Sequence, residues 1–242
     1  MTTVAALIIG DEILSGKVRD TNAPALIDAL RDLGVGLRRI AYVSDEVDEI
    51  AAEVRWCAER FDAVITSGGV GPTHDDRTVA AVARAFGVPV VREPELVALI
   101  EGAWGDRCTE SALRMADVPD GARLLHAPDR LLPVVVCRNV YLLPGVPQLF
   151  VAKLKALQAE LKGEQTFIRH LFLNSDESRL APLLAQVADE YPLVKIGSYP
   201  RWDNEDARLW ITVESASASS VDAAVDRLLE VLPAAEIVRL ER

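Results

Sequence analysis

The sequence predicts an α/β fold: a three-layer α/β/α domain with a mostly parallel sheet, followed by a small α+β domain. In the first half of the chain, short apolar runs alternate with segments of helical periodicity, which is the pattern of βαβ units around a parallel sheet. In the last third, the order becomes strand, helix, strand, strand, helix, strand, the split-βαβ, KH-like arrangement. We therefore expect two domains, at residues 1–164 and 165–242.

The first domain is predicted to begin with three strand–helix units. Apolar runs predict strands at Val4–Gly10, Val35–Val43 and Asp62–Gly69. Apolar residues at helical spacing predict helices at Thr21–Gly34, Asp45–Phe61 and Thr78–Gly87. Because helices of this length separate the strands, the sheet is expected to be parallel and covered on both faces.

The rest of the first domain is predicted to combine helices with a strand pair. Residues 94–118 have a helical pattern with little chemistry. The run Leu131–Gly145 predicts two short strands that meet near Arg138–Asn139. Pro147–Gly163 predicts a helix, since proline is favoured at the first helical position and glycine just past the end.

The second domain is predicted to follow the split-βαβ order in about 75 residues. Its strands are expected at Thr166–Asn174, Leu193–Tyr199, Ala207–Ser215 and Ala235–Leu240, and its helices at Asp176–Tyr191 and Ser220–Leu232. The polar tract Arg201–Arg208 is expected to form a hairpin tip. From Thr166 to the end, 8 basic residues face 13 acidic ones, without a GxxG clamp, so RNA binding is not expected.

Composition narrows the classes of partner. The chain has 242 residues and a formal charge of −11, from 26 basic and 37 acidic residues, which argues against nucleic acid and against anionic membrane surfaces. Its three cysteines form no CxxC motif, and Cys57 and Cys137 are expected in the core. The apolar run at the start is too short for a membrane anchor and has no charged n-region, so a cytoplasmic location is expected.

Three segments are expected to converge at one edge of the sheet. They are Ile8–Asn22, the loop SGGVGPTHDD from Ser67 to Asp76, and Leu142–Phe150. Each follows an apolar strand and leads into a helix, and each mixes glycine with small polar residues. In a doubly wound sheet, ligands bind outside the carboxyl ends of the strands. This edge is therefore the predicted ligand site.

The central loop combines features of an anion site and of a cation site. Gly68, Gly69 and Gly71 leave backbone N–H groups uncovered, and the next helix adds more at its N-terminus, a combination that favours phosphate. Asp75 and Asp76 would repel a phosphate. The two features become compatible if a divalent cation bridges the carboxylates and the phosphate oxygens, as Mg²⁺ commonly does.

Purely structural roles stay open for these acids. Thr73 and Asp76 fit the capping box T-x-x-D of the following helix, and Asp75 fits a first-turn acid. Glu12 and Asp45 could supply further oxygen ligands, although Asp45 also fits a helix N-terminus. The neighbouring His74 fits either a general base or a solvated loop residue, and no serine or cysteine has a convincing base beside it.

The motifs resemble the molybdopterin-binding family of molybdenum-cofactor biosynthesis domains. The resemblance lies in GDEILSGKVRDTN (Gly10–Asn22), SDE (Ser44–Glu46), SGGVGPTHDDRT (Ser67–Thr78) and LPGVP (Leu143–Pro147). It is closer to CinA-type N-terminal domains and to the molybdopterin-binding-like domain of eukaryotic FAD synthases, and it continues into GSYP (Gly197–Pro200). It implies a three-layer α/β/α core and frequent homo-oligomers. No segment resembles an amidohydrolase or an adenylyltransferase domain, so a stand-alone version is expected.

The resemblance also implies roles for individual residues. Asp75 and Asp76 would serve the metal and the attacking water, with Glu12 and Asp45 as further metal ligands. The implied substrate-binding residues are Gly10, Asn22, Ser67, Gly68, Gly69, Gly71, Pro72, Thr73, Pro144, Gly145 and Pro147.

Two functions are expected from these observations. The first is a divalent-metal-dependent (Mg²⁺, Mn²⁺ or Co²⁺) nucleotide pyrophosphatase that hydrolyses ADP-ribose or FAD. The alternative is a non-catalytic protein that binds molybdopterin, and a third possibility is an oligomeric scaffold. In the first two cases the partner is a small nucleotide or pterin phosphate, and the carboxylate pair favours the enzyme, because binding a pterin phosphate gains nothing from it without a metal.

Overall fold

The computed structural model describes residues 2–126, 132–202 and 206–241. The chain divides into two compact units, Met1–Gly163 and Glu164–Arg242.

The first unit contains eight strands and seven α-helices among its described residues. The strands are β1 (Thr3–Ile9), β2 (Gly36–Val43), β3 (Ala63–Ser67), β4 (Val90–Arg92), β5 (Asp117–Pro119), β6 (Arg123–Leu125), β7 (Val134–Cys137) and β8 (Val140–Leu143). The helices are α1 (Asp11–Leu14), α2 (Asn22–Asp32), α3 (Val47–Ala58), α4 (Thr78–Phe86), α5 (Pro94–Trp104), α6 (Glu110–Leu113) and α7 (Pro147–Leu157).

Six of these strands form the main sheet, in the order β2-β1-β3-β8-β7-β6. The strands β2, β1, β3 and β8 are parallel, whereas β7 and β6 are antiparallel to their neighbours. Val4 and Ala6 of β1 pack into one core with α2 and α7, and Ala5 and Leu7 pack into another with α3 and α4. Both faces of the sheet are therefore covered, and the predicted three-layer, mostly parallel fold is confirmed.

The segment between α4 and β7 differs from its prediction. Residues 94–118 were expected to be helical, but they form α5, α6 and short 3₁₀ turns and then end in β5, which pairs with β4 in a two-stranded antiparallel sheet. Strands of three residues are too short to show a period of two, so the pattern missed them. The helix expected to Gly163 ends at Leu157. The strand run expected from Leu131 to Gly145 begins with a residue, Leu131, that lies outside the described residues.

The second unit has the predicted order of elements. Its strands are β9 (Phe167–Leu173), β10 (Lys195–Pro200), β11 (Leu209–Ser215) and β12 (Ile237–Glu241), and its helices are α8 (Glu177–Glu190) and α9 (Ala218–Val231). The antiparallel sheet has the order β10-β11-β9-β12, and α8 and α9 pack into a single core with it. The Arg201 N–H donates to the Arg208 carbonyl at 2.8 Å, while residues 203–205 of the predicted hairpin tip lie outside the described residues.

Cys57 and Cys137 are buried, as predicted, and burial raises the pKa of Cys57 to about 11. Among the described helices, none has the length and apolar character that a membrane span requires.

Candidate functional site

Three loops meet where the adjacent parallel strands β1, β3 and β8 end. We call them the loop edge: Gly10 after β1, Gly68–Gly71 after β3 and Pro144–Gly145 after β8. The backbones touch, because a Cβ on Gly145 would lie 3.2 Å from the Gly68 Cα. A Cβ on Gly68, whose φ is 105°, would lie 2.3 Å from the Ile9 carbonyl oxygen. The contact between loops thus depends on glycine at position 68.

The loop edge borders a cavity of about 830 Å³. The predicted site residues that line it are Gly10, Glu12, Asp45, Gly68, Gly69, Gly71, Pro72, Asp75, Asp76, Pro144 and Gly145. The three predicted segments therefore do converge, and they do so around one concave space, the usual setting of a small-molecule site.

Four predicted substrate-binding residues are not among those that line the cavity: Asn22, Ser67, Thr73 and Pro147. Asn22 is buried, and its side-chain amide donates to the Ser67 hydroxyl at 2.9 Å and to the Gly145 carbonyl at 2.8 Å. It therefore joins the segments that follow β1, β3 and β8. Pro147 occupies the first turn of α7, where its fixed φ suits a helix start. The contacts of Asn22 thus link the start of α2 to the ends of β3 and β8.

The backbone N–H groups of the central loop are only partly available for an anion. The Gly68 N–H donates to the Leu143 carbonyl at 3.1 Å. Thr78, the first residue of α4, donates its hydroxyl to the Gly68 carbonyl at 2.7 Å and its N–H to the Gly69 carbonyl at 2.9 Å. The expectation that all three glycines present uncovered N–H groups is thus wrong for Gly68. Gly69, Val70 and Gly71 form the stretch beside the cavity.

Asp76 closes a turn within the loop and does not cap a helix. Its Oδ2 accepts the Thr73 N–H at 2.8 Å and also accepts the Thr73 hydroxyl, while the Asp76 N–H donates back to the Thr73 carbonyl at 3.3 Å. The helix α4 begins later, at Thr78, so the predicted capping box is wrong in position although its two residues do pair. The carboxylate also packs over Gly71, where a Cβ would lie 2.7 Å from Oδ2.

Asp75 is the more open of the two aspartates. Its side chain is 65% exposed, and that of His74 is 93% exposed, with 3.9 Å between His74 Nδ1 and Asp75 Oδ1. The nearby Thr73 side chain, and then the Asp75 backbone N–H, hold the pKa of Asp75 below its usual value. Asp75 is therefore ionised at neutral pH and accessible to a ligand or a cation. His74 does not line the cavity.

Asp11 and Glu12 of α1 lie close to Asp45 after β2, and Asp75 is near enough to interact with Asp45. Asp45 Oδ2 accepts the Asp11 N–H at 2.9 Å, and Asp11 Oδ1 accepts the Asp45 N–H at 3.4 Å. Burial raises the pKa of Asp45, and the nearby charges of Asp11, Glu12 and Asp75 raise it further, against the lowering effect of the Asp11 N–H. The Glu12 carboxylate lies over Gly10. Asp11 is absent from the sequence prediction, although it directly precedes Glu12 in the same motif.

These carboxylates fit an open cation site better than a closed one. Within the described residues, no group of three or more His, Cys, Asp or Glu side chains is arranged to hold a metal ion. The donors at the cavity are all carboxylate oxygens, which suit hard divalent cations. Mg²⁺ is commonly held by one or two carboxylates together with waters and ligand phosphates. The donor set therefore fits a cation that binds together with its ligand.

The cavity has a second side, which we call the apolar wall. It consists of Leu96, Leu99, Ala103 and Trp104 from α5 and Met115 from the turn that follows α6. The residues Leu99 and Trp104 stay 42% and 37% exposed. These residues are absent from the sequence prediction, since nothing local in a helix indicates which face borders a cavity. An apolar wall and a polar loop that line the same cavity suit a ligand with a flat ring system.

Lys153 is a basic lining residue that is also absent from the sequence prediction. It lies in α7, and its exposure is only 5%. The sequence contains a signal for it, because Lys153 lies at helical spacing among the apolar residues Phe150, Leu154 and Leu157. These three residues are buried on the same face of that helix.

Comparison with known families is consistent with this geometry. A family model described as "Probable molybdopterin binding domain" matches residues 5–162. The chain belongs to this family. A second model, described as "FAD synthase, middle domain", matches residues 165–241. The resemblance proposed from the motifs is therefore confirmed over both units.

Individual relatives agree with the family assignment. A "Probable FAD synthase" of Caenorhabditis elegans is 35% identical over 260 residues, covering 95% of this chain and 50% of the relative. A "CinA-like protein" of Myxococcus xanthus is 33% identical over 239 residues, covering 92% and 56%. The chain thus spans about half the length of these curated relatives. The crystal structure of "the protein CinA with unknown function" from Thermoplasma acidophilum matches with a TM-score of 0.61 and 34% identity, covering 66% of this chain and 97% of that one.

Proposed function

We propose that this protein is a divalent-metal-dependent nucleotide pyrophosphatase, with ADP-ribose and FAD as the first candidate substrates. The proposal depends on one observation: a glycine loop and the carboxylates Glu12, Asp45, Asp75 and Asp76 border the same cavity of about 830 Å³. The relatives named FAD synthase and CinA-like support a nucleotide-related role.

The two sides of the cavity match the two kinds of group in such a substrate. The loop stretch Gly69–Gly71 suits the diphosphate, because its backbone can approach the phosphate oxygens closely. The apolar wall, with Trp104 at its end, suits an adenine or isoalloxazine ring. The volume lies within the usual range for ligand pockets, roughly 300–1,000 Å³.

The residues have distinct roles in this proposal. Asp75, ionised and exposed, is the group that contacts the attacking water or the cation. Asp76 keeps the loop in shape through Thr73, and the loop N–H groups stabilise charge that develops on the phosphate oxygens. Asp45 and Glu12 would complete the cation site, and a bound divalent cation supplies positive charge to the phosphate and lowers the pKa of a water.

The test is hydrolysis of ADP-ribose, FAD and NAD in the presence of Mg²⁺, Mn²⁺ or Co²⁺, followed by chromatographic detection of AMP. Asp75→Asn removes the charge and is expected to lower kcat by roughly 100-fold or more, within the range of a positioned acid–base or metal-binding group. Asp76→Asn keeps an oxygen that can accept the Thr73 hydrogen bonds but removes the charge. It therefore distinguishes the role of the Asp76 charge from its role in the turn. Asp32→Asn, an exposed acid outside the cavity, is the control.

A second candidate is binding of a pterin phosphate without turnover. The match to a probable molybdopterin binding domain favours it, as does the lack of a preformed metal group among the described residues. No AMP release with any of the three cations, together with tight pterin binding, would establish this alternative and exclude the hydrolase. The homo-oligomeric state and the cytoplasmic location stay predictions, and light scattering after gel filtration tests the former.

A further inference from the structure

Thr78 holds two successive carbonyl groups of the glycine loop. Its hydroxyl donates to the Gly68 carbonyl at 2.7 Å, and its N–H donates to the Gly69 carbonyl at 2.9 Å. Thr78 is fully buried, and a Cβ on Gly69 would lie 2.3 Å from its Oγ1. The loop therefore lies directly against this one residue, on the buried side of the turn.

These two hydrogen bonds also fix the direction of two backbone donors. In a planar trans peptide the N–H points opposite to the carbonyl, and the peptide bonds that follow Gly68 and Gly69 are trans. Because both carbonyls point to Thr78, the N–H groups of Gly69 and Val70 point away from it. Neither N–H donates a hydrogen bond to a described residue, and both residues are half-buried and line the cavity.

Gly68 shows the contrasting arrangement in the same loop. Its N–H donates to the Leu143 carbonyl at 3.1 Å and is therefore occupied by the fold. Backbone N–H groups are strong donors that normally have a partner, and successive N–H groups directed to the same side form an element that binds anions. The unpaired N–H groups of Gly69 and Val70 thus indicate where an anionic oxygen of a ligand binds.

We infer that Thr78 is a positioning residue, which directs the N–H groups of Gly69 and Val70 outward as a pair of donors to a phosphate oxygen of the ligand. The inference rests on the proposed function only for the class of ligand, a phosphate ester, which a nucleotide diphosphate and a pterin phosphate share. In hydrolysis, the same pair would stabilise negative charge that develops on that oxygen. Thr78 acts through the loop and does not itself contact the phosphate.

The first test uses the wild type and depends on no substitution. Amide NMR spectra are recorded during titration with ADP-ribose in EDTA, and again with molybdopterin, which distinguishes the two phosphate sources. The Gly69 and Val70 amide resonances are expected to move downfield, because their N–H groups gain a charged acceptor. The Gly68 amide, already bonded to Leu143, should move little. Binding that perturbs Gly69 and Val70 no more than Gly68 would overturn the inference.

Substitution of Thr78 tests the positioning role itself. Thr78→Val removes the hydroxyl, so the Gly68 carbonyl loses its donor and the peptide that follows it can rotate. Titration calorimetry is expected to show ADP-ribose and FAD bound roughly 10- to 100-fold more weakly, as for lost hydrogen bonds to a charged group. Adenosine and riboflavin, which have no phosphate, should bind the variant as they bind the wild type. Thr78→Ser keeps the hydroxyl and should retain most of the affinity.

Thr66→Val is the matched control. Thr66 on β3 is as fully buried as Thr78, and its hydroxyl lies 3.5 Å from the Tyr141 carbonyl oxygen, within the sheet. Its substitution changes the same chemical group in the same unit, so ligand affinity should stay at the wild-type value.

The outcomes separate this inference from the proposed function. Equal affinity of Thr78→Val and wild type for the phosphate ligands would overturn it, as would equal losses with adenosine and riboflavin or an equal loss in Thr78→Ser. Phosphate-selective loss without any AMP release by the wild type supports the positioning role and contradicts the hydrolase. AMP release at an unchanged rate in Thr78→Val supports the hydrolase and contradicts the positioning role. If the valine variant does not fold, the amide titration of the wild type decides.

Discussion

The loop edge and the apolar wall are two sides of one cavity, but they are built differently. The loop edge consists of backbone packed on backbone, with Asn22 hydrogen bonded to Gly145 and to Ser67 at the end of β3. The apolar wall consists of side chains from one helix and a turn, and Leu99 and Trp104 remain partly exposed. Because the loop edge holds the ends of neighbouring strands of the sheet against one another, substitutions there should lower the free energy of unfolding. Changes at the wall should affect mainly the ligand.

The largest effect is expected for Gly68→Ala. The φ of 105° is unfavourable for alanine, and its Cβ would lie 2.3 Å from the Ile9 carbonyl oxygen, which is backbone and cannot rotate away. We expect a loss of about 3 kcal/mol or more in the free energy of unfolding. Urea unfolding followed by circular dichroism measures it.

Gly102→Ala is the matched control for that substitution. Gly102 lies inside α5, and nothing lies within 4 Å of the Cβ position. Alanine there should leave stability unchanged or raise it by up to about 1 kcal/mol, because alanine is the better helix former. Equal effects of the two substitutions would show that the loop edge is no more constrained than an ordinary helix surface.

The same difference in construction explains what could be predicted from the sequence. Gly68 and Gly145 lie at the ends of predicted strand runs, so their place at the sheet edge followed from the order of elements. The apolar wall depends on which face of α5 meets the cavity, and tertiary packing decides that. Asp76 lies between these cases. Its pairing with Thr73 could be predicted from the sequence, but the start of α4 at Thr78 could not.

Trp104→Ala should have an intermediate effect, and this effect should be on ligand affinity. If the indole packs on a ligand ring, its loss should weaken FAD and ADP-ribose binding by about tenfold. Trp56→Ala is the control, because Trp56 on α3 has a similar exposure, 39% against 37%, and lies outside the cavity. If Trp56→Ala weakened binding as much, the apolar wall would have no specific role, and titration calorimetry decides between these results.

The smallest effect is expected for the pH dependence of stability. Two aspartates of the first unit should contribute to it with opposite sign. Burial raises the pKa of Asp45 at the cavity, whereas the Thr3 N–H, then the Thr3 hydroxyl, lowers the pKa of Asp62 at the other end of β3. The native state holds the Asp45 proton more tightly than the unfolded state does, so this group lowers stability as the pH rises from the ordinary carboxyl value to the raised one. Asp62 behaves oppositely: its contribution is present above the ordinary value and is lost as the pH falls toward the lowered one.

Substitution of each residue by asparagine should therefore give opposite pH profiles. Relative to wild type in EDTA, Asp45→Asn should gain stability as the pH rises from 3 to 7, and Asp62→Asn should lose it. Thermal unfolding at half-unit pH steps measures both. Added Mg²⁺ should stabilise the wild type more at pH 7 than at pH 4, since protons compete with the cation for carboxylates, and this gain should shrink in Asp45→Asn but not in Asp62→Asn. Parallel profiles for the two variants would mean that the native state does not hold the Asp45 proton more tightly than the Asp62 proton, which would contradict the raised pKa of Asp45 at the cavity.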